Sequence, residues 1–514
     1  MRAWRNRVTC CVPFCFAILL ASPCPFGTHA ADNRLELTVI DEETGEPIPC
    51  RMHLKNAAGR AQKVGQWPFW HDHFVFPGKI TLKLPRGQYT FELERGPEWV
   101  NATGHFVIND GADDRHTVKL RRIADMKGTG WWSGDLHVHR PLKDIELLMQ
   151  AEDLHVAPVM TWWNKKSEWT TRQPPAETVV RFDNDRIYEV MAGEDEREGG
   201  ALLYFNLPRP LEISKAEREF PSPMKFLLAA RETPGVWVDV EKPFWWDMPV
   251  WVASGKIDSI GLANNHMGRD RMLDNEAWGK PRDKKRFPSP RGNGNWSQEI
   301  YYHLLNCGLR IPPTAGSASG VLPNPVGYNR VYAYVGEELT YEKWWEAIRA
   351  GRVTVTNGPL LRPVVEGRLP GHVFRAPAGS VLELDLNLTF TTRDPISYLE
   401  VIKDGKVARS VRLDELHQGG KLPALSFDRS GWFLMRAVTD VESTFRFAST
   451  GPYYVEIGEE PRISRKSAQL FVDWVKERQA RIKLTDPDQK REVLEPHLAA
   501  QKFWEDIAAR ANAD

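Results

Sequence analysis

The period of hydrophobicity changes twice along the 514 residues, and that change limits the folds open to the chain. Near the start, Leu35-Glu36-Leu37-Thr38-Val39 alternates apolar and polar residues, as a strand with one buried face does. Similar runs follow at 51–55, 80–84, 89–93, 105–108 and 117–120, parted by turn sequences such as Glu43-Thr44-Gly45-Glu46-Pro47 and Pro85-Arg86-Gly87. This pattern predicts a small all-β sandwich over residues 31–125. From about residue 128, strand-like runs (133–139, 156–161, 187–191, 202–205, 236–240, 257–263) alternate with helix-like ones (142–153, 298–306, 341–350). Repeated β-α units predict a mostly parallel sheet over 128–360, either a barrel or doubly wound. The runs 382–390, 398–402, 431–435 and 453–457 are strand-like again, with a hairpin turn at Lys403-Asp404-Gly405-Lys406, which predicts a second β-sandwich over 361–460. Helices close the chain over 461–514, one starting near Ser464 and one capped by Asp486 with Pro487 in its first position. The expected class is multidomain, α/β plus all-β.

Residues 1–30 carry an export pattern. Arg2, Arg5 and Arg7 precede an apolar run from Val8 to Ala21, too short for a comfortable membrane span, and Thr28-His29-Ala30 offers small residues for cleavage. The expectation is a periplasmic or extracellular chain with no integral membrane span after cleavage. A lipid anchor at Cys24 ranks second, because Pro23 directly before it fits poorly. Cleavage would leave Cys50 and Cys307, far apart in sequence and expected as isolated buried thiols. Lys+Arg and Asp+Glu each total 68, and this neutrality argues against nucleic acid or an anionic membrane surface as a partner. The 20 Trp include doublets at 131–132, 162–163, 245–246 and 344–345; in a strand doublet one ring is expected in the core and the other can line a cleft.

The stretch with the clearest chemistry is Gly134-Asp135-Leu136-His137-Val138-His139. Residues two apart on a strand share a face, so both imidazoles project together, an arrangement suited to zinc, manganese or iron. Four further places end predicted strands: Ala192-Gly193-Glu194-Asp195-Glu196, Asp239-Val240-Glu241-Lys242-Pro243, Asn264-Asn265-His266, and the small-residue loop from Thr314 to Gly320. In a β/α barrel these ends carry the reactive groups. The loop invites close approach to its backbone but lacks the Gly-Lys-Ser/Thr of a phosphate-binding loop. Eight Lys and Arg between Arg269 and Arg291 read first as a solvated surface loop and second as a lid for an anionic substrate. His71-Asp72-His73, in the first sandwich, reads as structural. No Gly-x-Ser-x-Gly occurs, and nucleophilic Ser or Cys catalysis has no support.

The first of these motifs resembles the opening motif of the PHP-domain metal-dependent hydrolases, Ala192-Gly193-Glu194 resembles their second acidic motif, and the segment Gly351-Arg352-Val353-Thr354-Val355-Thr356-Asn357-Gly358-Pro359 is similar to the closing segment of the CehA/McbA-type branch. The sandwich over 31–125 resembles the transthyretin-like or carboxypeptidase-regulatory-like modules of secreted enzymes. The PHP-type resemblance covers roughly residues 128–360. It implies a distorted seven-stranded β/α barrel, with a cluster of one to three divalent metals, that hydrolyses phosphoesters or related esters and amides. His137, His139 and Glu194 carry over as ligands. Elsewhere the chain departs from the pattern. Thr161-Trp162-Trp163-Asn164 stands for Thr-Asp-His-Asn, Glu241-Lys242-Pro243 for Ala-His-Pro, and Gly316-Ser317-Ala318-Ser319-Gly320 for Gly-Ser-Asp-x-His. The expectation is therefore a reduced site holding one ion (Zn, Mn or Fe), with Glu241, Asp239 or His266 as general base and Lys242 steadying an oxyanion. The expected substrate is a small molecule or glycan-type compound, anionic if the basic stretch serves as a lid. The alternative is an inactive relative that binds a glycan or another cell-surface ligand in Trp-lined clefts.

Overall fold

The computed structural model describes residues 33–396, 398–416 and 420–514. The export pattern, its cleavage position and Cys24 lie outside the described residues. The chain is mixed α/β, with sheet predominating.

The first sandwich has two sheets. Strand Arg34–Asp41 sits between Lys79–Lys83, antiparallel, and Asp113–Leu120, parallel. The facing sheet has five strands, with Cys50–Asn56 between His73–Phe76 and Gly87–Glu94. Alternation buries Leu35, Leu37 and Val39 against Met52, Phe76 and Leu93, and their packing holds the two sheets together. Buried polar contacts then fasten this unit to the central one. Arg51 pairs with Glu152, Arg95 with Asp153 at 3.2 Å, and Trp99 Nε1 donates to Asp153 at 3.0 Å.

The central unit starts with strand Trp131–Gly134, which runs parallel to Val156–Trp163, itself parallel to Arg186–Arg197. Gly200–Phe205 and Trp237–Val240 follow as antiparallel neighbours, then Ser259–Ala263 and Pro313–Ala315 in parallel. Arg330–Tyr334 pairs antiparallel with Trp131–Gly134, so the path of strand pairing returns to its start. The sheet is less parallel than β-α alternation suggests, because Arg186–Arg197 folds straight back into Gly200–Phe205 without a helix between them.

Several elements differ from expectation. The acidic run Glu194-Asp195-Glu196 lies inside the long Arg186–Arg197 strand rather than in a turn after it. The apolar segment 250–253, to which the pattern assigns no element, is helical within Met248–Ala253, with Pro249 in the first turn where its missing N–H costs nothing. The helix expected from residue 298 with Ser297 as cap runs Gly292–Asn306 instead, and the Ser297 hydroxyl donates to Asn293 O within it. Packing overrides propensity there: a Cβ at Gly294 would collide with the Phe445 ring, so the weak helix former is the one that fits.

Strand Val353–Thr356 pairs antiparallel with Phe447–Thr450, which makes the C-terminal sheet continuous with the central one. The closing helices are Arg465–Arg481, capped by Ser464, and Pro487–Ala509, capped by Asp486. They share the central core, where Trp474 Nε1 donates to Trp246 O at 3.1 Å and Trp504 Nε1 to Pro249 O at 3.0 Å. Cys50 and Cys307 are both free and buried. Among the described residues no helix is long and apolar enough to cross a membrane.

Candidate metal centre

His137 and His139 follow the Trp131–Gly134 strand rather than lying in it, and only Val138 between them continues the ladder, bridging Val159 and Ser319. Asp135 fixes the departure. One carboxylate oxygen accepts the N–H of His137 and of Ser317, each at 3.0 Å, and the other accepts the N–H of Gly327 at 2.7 Å. The loop from Thr314 to Gly320 supplies the opposite wall. Leu136 N–H donates to Ala315 O at 3.0 Å and His139 N–H to Ser319 O at 2.8 Å. A Cβ at Gly316 would stand 2.5 Å from the His137 Cβ, and one at Gly320 would collide with the His139 carbonyl. What this loop admits to close approach is thus the histidine segment itself.

The two imidazoles turn their Nε2 atoms to within 2.9 Å of each other. Glu194, from the Arg186–Arg197 strand, brings Oε2 to 3.3 Å from His137 Nε2 and 3.2 Å from His139 Nε2. Its neighbour Gly193 lies under the Trp162 indole, where a Cβ would overlap the ring. Glu241 approaches the far side of His137, with Oε1 3.3 Å from Nδ1. Its other oxygen accepts from Lys242 Nζ and, at 3.0 Å, from Trp245 Nε1. Lys242 also lies 4.5 Å above the Trp245 ring, so its charge is taken up inside the cluster.

Burial by itself disfavours a charged His137, but the carboxylates of Glu194 and Glu241 outweigh it and push its pKa up to about 10. Burial, helped by the charge on His137, lowers His139 despite Glu194. Burial works to raise Glu194, yet the charge on His137 and hydrogen bonds from both imidazoles hold it well below the carboxylate range. Two imidazole nitrogens and a carboxylate oxygen converge here in a buried site, a donor set able to hold a divalent ion with a position left open.

The remaining candidates sit around this cluster with different duties. Asp239 is sealed below it, its Oδ2 accepting from the hydroxyls of Ser259 and Thr314, and burial pushes its pKa up to about 7. His266 donates from Nδ1 to Asn275 O at 2.9 Å, while burial and then Lys242 lower its pKa to about 3. Neither touches the histidine pair.

Glu196 was missed as a site residue. Two positions beyond Glu194, on the same side of the strand, it lines an open cleft of about 480 Å³ together with Trp163, Lys166, Arg218 and Trp278. Burial, and then the charge of Glu194, raise its pKa to about 7. Trp163 joins cleft to cluster, its ring 5.1 Å from that of His139. Asn164 steadies this edge by bonding both ways with the backbone of Glu196, at 2.8 and 2.7 Å. The strand spacing of Glu194 and Glu196 was readable in the sequence; the cleft was not.

The basic stretch is not a free cationic lid. Arg282 is buried against Asp274 and Glu276, Lys280 pairs with Glu477, and Arg269 pairs with Glu92 and Glu94 of the first sandwich. Compared with known proteins, the chain matches no family model, no curated protein and no solved structure.

Proposed function

We propose that the chain is an exported, metal-dependent hydrolase of the PHP type with a reduced metal site, acting on phosphoesters or related esters and amides. The observation that carries this reading is the convergence of His137, His139 and Glu194 within 3.3 Å in a buried site beside an open cleft. In this reading the closed path of strands is a distorted (β/α)7 barrel, and the mature chain works in the periplasm or outside the cell. A zinc, manganese or iron ion held by the three side chains supplies Lewis acidity for attack by water near neutral pH. Glu241 orients His137 through Nδ1, as carboxylates behind ligating histidines do. Lys242, bound to Glu241, holds that carboxylate ionised. Glu196, on the cleft wall, is the group placed to exchange a proton with substrate. The substrate lies between Trp163 and Trp278, where Lys166 favours an anionic group.

The same two tryptophans favour a second reading, an inactive relative that binds a glycan by ring stacking. Metal analysis of the purified chain with turnover on phosphomonoesters, phosphodiesters and carboxylesters separates the two. The hydrolase reading expects the His137→Ala/His139→Ala variant to lose one equivalent of metal and all turnover. Metal-independent glycan binding, abolished by Trp163→Ala and untouched by the double His variant, would establish the other.

A further inference from the structure

We propose that His53, Asp72 and His73 form a second metal centre, set in the first sandwich apart from the His137 cluster and taking a borderline divalent ion such as zinc. It does not depend on the hydrolase reading. Two strands and a strained turn build it. Cys50–Asn56 and His73–Phe76 pair antiparallel with Met52 opposite Phe74, and the next step sets His53 beside His73, ring centroids 5.1 Å apart. His71, at φ 51°, turns the chain so that Asp72 reaches in between them. His53 Nδ1 and His73 Nδ1 each lie 3.1 Å from a different oxygen of Asp72, and the three groups offer ligand atoms within 4.8 Å of one another. Both imidazoles are buried and Asp72 is half-buried, facing a cleft of about 280 Å³ between the first sandwich and the central unit. His266 and Asn265 line its far wall, and Asn265 Oδ1 is buried without a hydrogen-bond partner. A two-histidine, one-carboxylate set opening on a cleft with an unsatisfied acceptor leaves room for a fourth ligand such as water.

The surroundings supply the support that ligating histidines need. Ligation at His53 Nδ1 moves that ring's proton to Nε2, which faces Glu94 Oε1 at 3.9 Å. Arg51 Nε, which now donates to the same Nε2 at 3.1 Å, must then release it. Arg51 keeps its ion pairs with Glu94, at 2.7 Å, and with Glu152, so that release does not strand the guanidinium.

The test is cobalt(II) titration of the untagged full chain after chelation, read by visible absorption and metal analysis. Wild type is expected to bind one equivalent more than Asp72→Asn, whose amide oxygen still accepts one imidazole N–H and so spares the fold: two against one where the His137 cluster also takes an ion, one against none where it does not. The ion at the Asp72 centre should be held at least a hundredfold more weakly in the variant. The His137→Ala/His139→Ala variant should retain one. Unchanged binding by folded Asp72→Asn would overturn the proposal, as would complete loss in the double His variant. Anomalous scattering at the zinc edge from zinc-saturated crystals reads the site without substitution: a peak between Asp72 and the two imidazoles is expected, and its absence refutes the centre.

Discussion

His137 Nδ1 and Glu241 Oε1 face each other as a buried ion pair across 3.3 Å, and neither atom has a hydrogen-bond partner among the described residues. The relationship decides which nitrogen His137 can offer to an ion. With Nδ1 committed towards Glu241, Nε2 points at His139 and Glu194. Glu241→Gln should therefore weaken zinc binding by about 10–100-fold, the usual cost of losing such a carboxylate. A chelator-competition titration measures it, and unchanged affinity would show that Glu241 does not orient the ring.

Gly316→Ala places a methyl group where only hydrogen fits against His137 Cβ. The histidine segment must shift by about 1 Å to restore ordinary contact, and metal affinity should fall at least about tenfold, since a loose ligand shell is costly. Isothermal titration of wild type and variant compares the two directly.

Trp163→Ala removes the ring lying between His139 and the cleft. If the cleft holds substrate, KM should rise roughly tenfold, in line with the loss of one aromatic contact. Metal content should be retained, because the indole offers no ligand atom. A variant that keeps wild-type KM would place the substrate elsewhere.

Two buried histidines should each take stability from this fold as pH falls. Burial holds His155 and His266 at pKa values of about 3, whereas in the unfolded chain a histidine titrates near 6.5. The unfolded state therefore takes up protons that the native state refuses. Their contribution is intact above pH 6.5 and is lost as pH falls towards 3, at up to about 1.4 kcal/mol per pH unit for each histidine. Asp239 and Glu196, raised to about 7, act in the opposite sense over the same range, so the histidine contribution is read as a difference: the stability gap between wild type and His155→Asn in urea unfolding should narrow as pH falls from 7 to 4.

Arg478→Ala should be among the most damaging single changes. Its guanidinium bonds Asp247 at 2.7 Å and Glu219 at 2.6 Å, all three little exposed. Removing one partner of a buried ion network costs about 3–5 kcal/mol. The midpoint of urea unfolding should drop accordingly, with hydrogen exchange rising first in the Arg465–Arg481 helix.

How much of this was legible in the sequence depended on how local the cause was. Strands of the first sandwich announced themselves by alternation, and Ser464 and Asp486 cap their helices because the signal is two or three residues long. The pairing of His137 with His139 needed only a spacing of two. Duties set by distant residues stayed hidden. Asp239 and Glu241 are equivalent in pattern, yet Asp239 is captured by hydroxyls from two other strands while Glu241 meets His137. His71-Asp72-His73 was read as structural because it stands in a loop-like stretch with no later ligand set; that His53 lies beside His73 follows only from the pairing of their strands. Pairing within the basic stretch stayed hidden for the same reason: the acids that neutralise Arg269 and Lys280 come from distant parts of the chain.

Trp474 and Trp504 complete a core whose other walls are made hundreds of residues earlier. Trp246 and Pro249 meet their indole partners only when residues 228 and 255 positions further along the chain are in place. Loss of even the last helix would leave that interior open to water and to neighbouring chains.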